Sequence, residues 1–318
     1  MHQSALQRKT NPAPTALAAL LVGNVALAFG PWFVRAAEIG PVAAGFWRIT
    51  LAAPILIALA YSMGERPVRD ARGLWPVLLI AGVAFAADLA SWHVGIHYTS
   101  LANATLFGNS ATLIYPIYGF IAARMWPNRP QAAALLLAAI GAAMLMGRSA
   151  ELSRANLIGD LLCLLAGVLY AVYFIFMARA REKMAPLSAL AVSSVASILP
   201  LLVLVFVMGE SLFGGNWTVL VGLALASQVL GQGLMIYALG HVTPLLLGLA
   251  LLTQPIVAGT VGWIVYDERL GTLDFIGAAL VAAALVLVRS QRTSPVELAT
   301  DAQDIKSGES QSASPRSG

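Results

Sequence analysis

The sequence predicts an all-α integral membrane protein with ten transmembrane helices in two inverted five-helix repeats. Three observations predict it. Hydrophobic residues make up 59% of the 318-residue chain and charged residues 11%, against roughly 45–50% and about 25% in soluble domains, so the chain cannot cover itself with polar surface. Long apolar runs recur ten times along it. Its two halves also resemble each other at a nearly constant offset. Eight of the 34 charged residues lie at or beyond Arg289, which leaves the body more apolar still.

A helix rises 1.5 Å per residue and the hydrocarbon core is about 30 Å thick, so a span needs about 20 apolar residues. Polar, charged and Pro/Gly breaks place the spans near 15–34, 41–62, 75–95, 101–123, 131–147, 157–178, 187–208, 217–238, 245–265 and 272–289. The first has Arg8 and Lys9 before it and Ala26-Leu27-Ala28 inside it, as a cleaved signal peptide would. Its apolar run continues through Val34, nine spans follow and it has a counterpart in the second half, so it is read as a retained helix. The domain organisation is then a short segment 1–14, a first unit 15–147, a linker 148–156, a second unit 157–289 and a tail 290–318. The tail is Ser-rich, polar and without hydrophobic periodicity, which predicts disorder.

Lys and Arg set the orientation. With the N-terminus inside, 14 of the 19 basic residues fall on the inner side and only Arg35, Arg148, Arg154 and Arg269 outside, with Arg48 within a span. That asymmetry predicts cytoplasmic termini in a plasma membrane of bacterial inner-membrane type. The formal charge of +4 is spread in ones to threes between apolar runs, a topology signal that speaks against nucleic acid. The single cysteine, Cys163, allows no intramolecular disulfide and no cysteine zinc site, and reads as packing.

The repeat is the main step from sequence to function. Phe29-Gly30-Pro31-Trp32-Phe33-Val34 matches Tyr170-Ala171-Val172-Tyr173-Phe174-Ile175 at an offset of 141, and Pro41 and Pro186, each opening a helix, are 145 apart. At 143, Tyr98-Thr99-Ser100 faces His241-Val242-Thr243, Gly119-Phe120 faces Gly262-Trp263, and Gly141 faces Ala284. Each unit holds five spans, an odd number, so the second copy must enter the membrane from the opposite side. Halves related in this way let one midplane site open alternately to each face.

This pattern resembles the drug/metabolite transporter superfamily, specifically its EamA-type members of ten spans in two five-helix halves. The resemblance covers about residues 15–289. It rests on Phe46-Trp47-Arg48 with Leu51-Ala52, Ala102-Asn103-Ala104, Gly159-Asp160, Tyr170-Ala171, Pro255, and Asp267-Glu268-Arg269-Leu270 followed by Gly277. The first copy departs from it, with Met125-Trp126 where the Glu-Arg pair would stand and Thr112 at the place of Pro255. The resemblance implies a secondary transporter in which Arg48, Gly159, Asp160, Pro255, Glu268 and Arg269 have structural or gating roles.

Arg48 and Asp88 are the only ionisable residues other than histidine well inside a span. A charge at the bilayer centre costs at least about 2.5–3.5 kcal/mol on insertion scales, so both are expected to face the bundle interior. Both fall about seven residues, roughly 10 Å, from the outer ends of their helices. They form either a structural ion pair or a site in which Asp88 binds a proton or substrate under the control of Arg48. Ser91 and Trp92 share a helix face with Asp88; Trp92 is then a cavity floor or a residue of the interfacial aromatic belt.

Asn24, Asn103 and Asn109 in the first half and Gln228, Gln232 and Gln254 in the second are amides at bilayer depth. They need partners on neighbouring helices or in a water-filled path. Gln228 and Gln232 share one face of a helix whose counterpart bears Asp88, which predicts a polar stripe near the midplane. Tyr170, Tyr173, Trp32 and Trp47 would add aromatic walls. Asp88, Trp92, Asn103, Tyr170, Tyr173, Gln228 and Gln232 are the candidate substrate-binding residues. Stretches such as Gly141-Ala142-Ala143 and Gly277-Ala278-Ala279 permit close helix association within or between subunits, including a homodimer.

His93 and His97 are spaced as chelators, yet no HExxH pattern exists and no metal is expected. The sequence holds no Walker loop, dinucleotide fingerprint or soluble nucleotide-binding domain, so no cofactor is expected and transport would be facilitated or ion-coupled, with protons as the candidate. An intramembrane enzyme acting on lipid-linked substrates, using Asp88 and His93, is the alternative class, and a sensory membrane domain a third. The repeat favours transport, and the resemblance, with candidates that are mainly aromatic and amide groups around one acidic centre, implies export of small amphipathic metabolites such as amino acids.

Overall fold

The computed structural model describes residues 14–111, 153–242 and 253–268, with scattered further positions between 114 and 144, at 250–251, and between 271 and 287. The described chain is helical: α1 Pro14–Ala36, α2 Pro41–Ser62, α3 Trp75–Ile96, α4 Leu101–Gly108, α5 Arg154–Arg181, α6 Pro186–Val207, α7 Trp217–Leu239 and α8 Thr253–Tyr266. Among the described residues, α1, α2, α3, α5, α6 and α7 are long and apolar enough to cross a membrane. The spans expected at 101–123 and 245–265 are seen in part as α4 and α8. Those at 131–147 and 272–289, and the tail, lie largely or wholly outside the described residues.

Local chemistry sets the helix ends and breaks. Proline opens α2 and α6, where its missing N–H is one of the donors a helix start leaves unpaired anyway. Ser100 and Ser153 cap α4 and α5 by accepting from Asn103 N and Asn156 N at 3.2 and 3.1 Å. Within α1, the helix breaks at Phe29, between Pro14–Ala28 and Gly30–Ala36, because Pro31 cannot donate to the preceding turn. α7 departs from ordinary helix more widely. It runs as α over Trp217–Leu223, opens into a π-helical stretch over Ala224–Gln232 and returns to α over Gly233–Leu239.

The helix ends sort into two layers. In one, Asn216 N donates to Ala37 O at 2.8 Å, Trp47 Nε1 to Leu212 O at 2.6 Å, Thr99 Oγ1 to Asp160 at 2.5 Å, and Leu101 N to Glu268 at 2.9 Å. In the other, Ser188 N donates to Glu65 at 2.7 Å, and Arg181 donates to Ile236 O at 3.3 Å and to Met184 O. α1 therefore ends in the layer where α5 begins, so the first helices of the two halves run in opposite senses, as the odd span count requires.

The halves interlock rather than sit side by side. α5 packs along α3, α6 against α2 and α3, and α7 against α1. Small residues permit this. A Cβ on Gly95 would stand 2.9 Å from Gly159 O, and one on Gly159 would stand 3.0 Å from Gly95 O, so the α3–α5 crossing closes only with glycine at both places.

A second symmetry feature ties α2 to α6. Met63-Gly64-Glu65 and Met208-Gly209-Glu210 are the same tripeptide, at the 145-residue offset that also separates Pro41 from Pro186. Gly64 (φ 78°) and Gly209 (φ 69°) adopt the left-handed conformation that ends a helix, and Glu65 N and Glu210 N donate back to Ala60 O and Val205 O at 2.9 and 3.0 Å. Each glutamate then reaches the start of the other helix. Glu65 accepts from Ser188 N on α6, and Glu210 accepts from Val42 N at 3.3 Å and Ala43 N at 2.8 Å on α2. A carboxylate there satisfies orphan N–H groups and meets the positive end of the helix dipole.

Exposure is inverted relative to a water-soluble bundle. Leu21 and Val25 on α1, Leu79 and Val83 on α3, and Leu199, Val203 and Phe206 on α6 are exposed, while Asn24, Arg48, Asp88, Gln228, Gln232 and Gln254 are buried. Lipid tails solvate leucine as well as a core does, whereas polar groups must find partners inside.

The Lys/Arg asymmetry and the paired caps each give a prediction. With Cys163 replaced, cysteines at Ser62 and Thr293 should be labelled only from the cytoplasmic side and one at Ser149 only from outside; outside labelling at 293 would reject this orientation. Glu65→Ala and Glu210→Ala should each lower stability by about 1–2 kcal/mol, seen as lower melting temperatures in detergent, and the losses should add because the caps lie at opposite ends of the bundle.

Candidate functional site

Toward the middle of the bundle the helices leave a partly open cavity. Leu27 of α1, Arg48 of α2, and Phe85, Asp88, Leu89 and Trp92 of α3 line one part of it. Thr105, Gly108 and Asn109 at α4, Tyr170 of α5, Gln232 of α7 and Gln254 of α8 line the rest. Every labelled helix except α6 contributes, so the site is assembled from both halves of the chain.

Arg48 is held from behind. Its Nε donates to Gln228 Oε1 at 3.1 Å, and Gln228 Nε2 donates to Ser194 Oγ at 3.2 Å. α6 thus orients the guanidinium without touching the cavity. Asp88 shares the cavity but takes no part in the ion pairs found among the described residues, which are Arg35–Glu268 and Arg69–Asp70. The two charges expected to meet therefore face one space without forming a contact pair.

Amides make a second chain across the bundle. Asn24 Nδ2 donates to Leu20 O at 2.7 Å, Gln254 Nε2 to Asn24 Oδ1 at 2.7 Å, and Asn109 Nδ2 to Gln254 Oε1 at 3.2 Å. α1, α8 and α4 are joined this way at bilayer depth, and the network satisfies groups that lipid could not. Tyr170 Oη donates to Gln232 Oε1 at 3.1 Å. Gln232 Nε2 is buried without a partner. The π-helical stretch of α7 carries both Gln228 and Gln232; such widened turns frequently mark functional positions.

The aromatic wall is layered. Phe85 and Tyr170 line the cavity, and Tyr173 stacks behind them at centroid distances of 4.5 Å from Phe85 and 5.9 Å from Tyr170. Trp92 lines the cavity and donates from Nε1 to Ala104 O at 3.0 Å, which fits the floor reading. Trp47 lies in the same layer as Asp160 and Glu268, beside Phe213 and Trp217, and Trp32 packs against Phe33.

Of the seven candidate binding residues, Asp88, Trp92, Tyr170 and Gln232 line the cavity, while Gln228 and Tyr173 stand directly behind its wall. Asn103 lies elsewhere: its Nδ2 donates to Asp160 at 3.5 Å, beside the Thr99–Asp160 bond. Asp160, Gly159 and Asn103 together lock the start of α5 onto the α3–α4 connection. Glu268 belongs to the same layer, where Arg35 Nη1 donates to it at 2.6 Å. Arg35 also donates to Ile96 O at 3.0 and 3.1 Å and to Thr99 O at 2.5 Å, and lies 4.9 Å over the Tyr266 ring. Burial and the nearby Arg35 charge push the His97 pKa down. Pro255 falls within α8, and Arg269 lies outside the described residues.

Among the described residues no cluster of three His, Cys, Asp or Glu could hold a metal; His93 Nδ1 lies 3.0 Å from Pro41 O, and Cys163 is buried. Sequence reasoning treated Arg35 only as a topology charge and did not single out Glu65, Glu210, Phe85 or Thr105. The repeated Met-Gly-Glu was the signal for the glutamates; Phe85 and Thr105 carried none, since apolar and hydroxyl residues fill every span.

A bundle of apolar helices in two inverted sets, with a polar cavity built from both, defines a multi-pass membrane transporter. Residues 14–147 and 157–290 each match the EamA-like transporter family, and the chain belongs to that family. It is 26% identical over 286 residues to an uncharacterized transporter of Archaeoglobus fulgidus, covering 86% of this chain and 94% of that one. A crystal structure with 15% sequence identity superposes with a TM-score of 0.62 over 86% of this chain and 95% of its own, a likeness of fold. The protein is a transporter in the bilayer, with a small-molecule substrate.

Gln228→Leu should strand the Arg48 Nε–H in a dry setting, at about 1–3 kcal/mol. Reduced thermal stability together with reduced transport is the expected outcome, measured in detergent and in proteoliposomes. Full stability and full transport would mean that Arg48 is oriented by something other than this amide.

Proposed function

We propose that the protein is a secondary transporter that exports small amphipathic metabolites, amino acids and especially aromatic ones being the leading class, by alternating access at the central cavity. The observation that carries the reading is the cavity itself: one polar space at bilayer depth, with walls from both repeats and a mixture of aromatic, amide and charged groups. Such a space suits a solute with an apolar body and a polar end. The two units, 15–147 and 157–289, would exchange access between the faces of a bacterial-type plasma membrane, with both termini in the cytoplasm.

Asp88 is the candidate for proton coupling. It lines the cavity and has no partner in the hydrogen bonds and ion pairs of the described residues, so proton uptake there would not first have to break a structural pair. A panel of small solutes assayed in proteoliposomes, with and without a pH gradient, tests the reading. Accumulation of amino acids that grows with the gradient is expected. Asp88→Asn should abolish the gradient dependence while solute exchange remains measurable, because the amide preserves shape but cannot release a proton. No accumulation of any solute would reject the export reading, and an unchanged gradient dependence in Asp88→Asn would move the coupling site elsewhere.

A further inference from the structure

We infer that the cavity recognises both charges of a zwitterionic solute at once, with Arg48 taking the carboxylate and Asp88 the ammonium. The inference rests on the transport reading above and specifies how the substrate is selected. Its basis is the disposition of Arg48 and Asp88, the one basic and the one acidic side chain on the cavity wall among the described residues.

Arg48 spends one donor, Nε, on Gln228, and Gln228 is itself fixed by Ser194. The guanidinium is therefore oriented, and its terminal amino groups carry no hydrogen bond to the described residues. A planar fork with free donors is the arrangement that matches a carboxylate, commonly in bidentate fashion. Ionised, Asp88 is purely an acceptor, and neither of its oxygens has a partner in the hydrogen bonds of the described residues. Two opposite charges inside a membrane bundle would ordinarily close on each other, because an unpaired charge there is expensive. Here, on α2 and α3, they form no ion pair and both line the cavity.

That arrangement sorts solutes by charge pattern. An uncharged molecule leaves both poles unmatched, and a simple cation or anion satisfies one while stranding the other. A zwitterion satisfies both, and removing either of its charges leaves a buried ion facing an apolar or neutral group, which is a far larger penalty than losing a methylene. Phe85 and Leu89, on the same helix as Asp88, offer the apolar surface for the rest of the solute. Charge pattern is therefore the first selection, and side-chain shape the second.

The test is a competition series in proteoliposomes, run on the amino acid that the panel transports fastest, with phenylalanine as the expected one. Counterflow of labelled phenylalanine is challenged with unlabelled phenylalanine, with phenylalaninamide, which keeps only the ammonium, and with N-acetylphenylalanine, which keeps only the carboxylate. In the wild type both derivatives should compete at least about tenfold more weakly than the amino acid, a gap of the size expected from one lost charge-assisted contact. Asp88→Asn should narrow the gap for N-acetylphenylalanine selectively, and Arg48→Gln should narrow it for phenylalaninamide. Should Arg48→Gln fail to fold, the wild-type series and Asp88→Asn still decide. Equal competition by all three compounds, or an Asp88→Asn series identical to wild type, would overturn the inference while leaving amino acid transport intact. Absence of counterflow with every amino acid would overturn it together with the reading on which it rests.

Discussion

A guanidinium and a carboxylate held at hydrocarbon depth constrain everything around them. Neither can be left to lipid, so each has to be enclosed, either beside polar groups or facing the cavity. Arg48 gets its company from Gln228 and, through it, Ser194. That requirement explains why α6, which lines no part of the cavity, still packs against α2 and α3. Nearby, the Asn24–Gln254–Asn109 chain answers the same demand for the amides of α1, α8 and α4. The site is thus built from polar groups that hold one another, with the Arg48 and Asp88 charges on the cavity and the Gln232 amide nitrogen and Tyr173 hydroxyl left without a partner among the described residues.

The two repeats keep their symmetry where the demand is architectural and lose it where the demand is chemical. Pro41 and Pro186 open equivalent helices, Gly64 and Gly209 close them in the same left-handed conformation, and Glu65 and Glu210 cap the opposite partner at each end. In the cavity the correspondence fails: the position equivalent to Asp88 is Gly231. A second aspartate would place two like charges in one small space, whereas glycine lets α1 and α7 approach, since a Cβ on Gly231 would stand 2.8 Å from Leu27 Cγ. One acidic group per cavity, and a close helix contact in place of the other, is the physical content of that divergence.

The all-helical class, the two-repeat plan and the positions of the long spans were legible because they depend on composition and period, which are local. Arg48, Asp88, Tyr170 and Gln232 were legible because a polar group in an apolar span has few places to go. What the sequence could not show is which partner each polar group takes. The direct Arg48–Asp88 pair was one of two readings, and the structure gives Arg48 to Gln228 instead, a residue 180 positions away. The π-helical stretch was equally hidden, because Ala224–Gln232 holds no proline or charge that would announce a break in an apolar span. It lets Gln228 serve Arg48 while Gln232, one turn on, meets Tyr170. Asn103 shows the limit from the other side. Its depth was estimated from a span beginning at 101, and a residue three positions from a helix start belongs to the capping layer, where it joins Asp160.

The same hydrogen bonds restrict how the cavity can open. Glu65 and Glu210 join helices of opposite repeats at both ends of one antiparallel pair. Any movement that carries the whole first half past the whole second half must break both caps, each costing charge-assisted bonds to backbone N–H groups. A movement that keeps α2 and α6 together breaks neither. It has instead to act through contacts confined to one layer, and Arg35 supplies such a contact: its bonds to Glu268, Ile96 O and Thr99 O join α1, the α3–α4 connection and the end of α8. Those partners bring in three helices that line the cavity, and none of them belongs to the capped pair. The paired caps thus mark the part of the bundle where opening is costly, and the Arg35 cluster the contacts within one layer that must change if α1, α3 and α8 separate there.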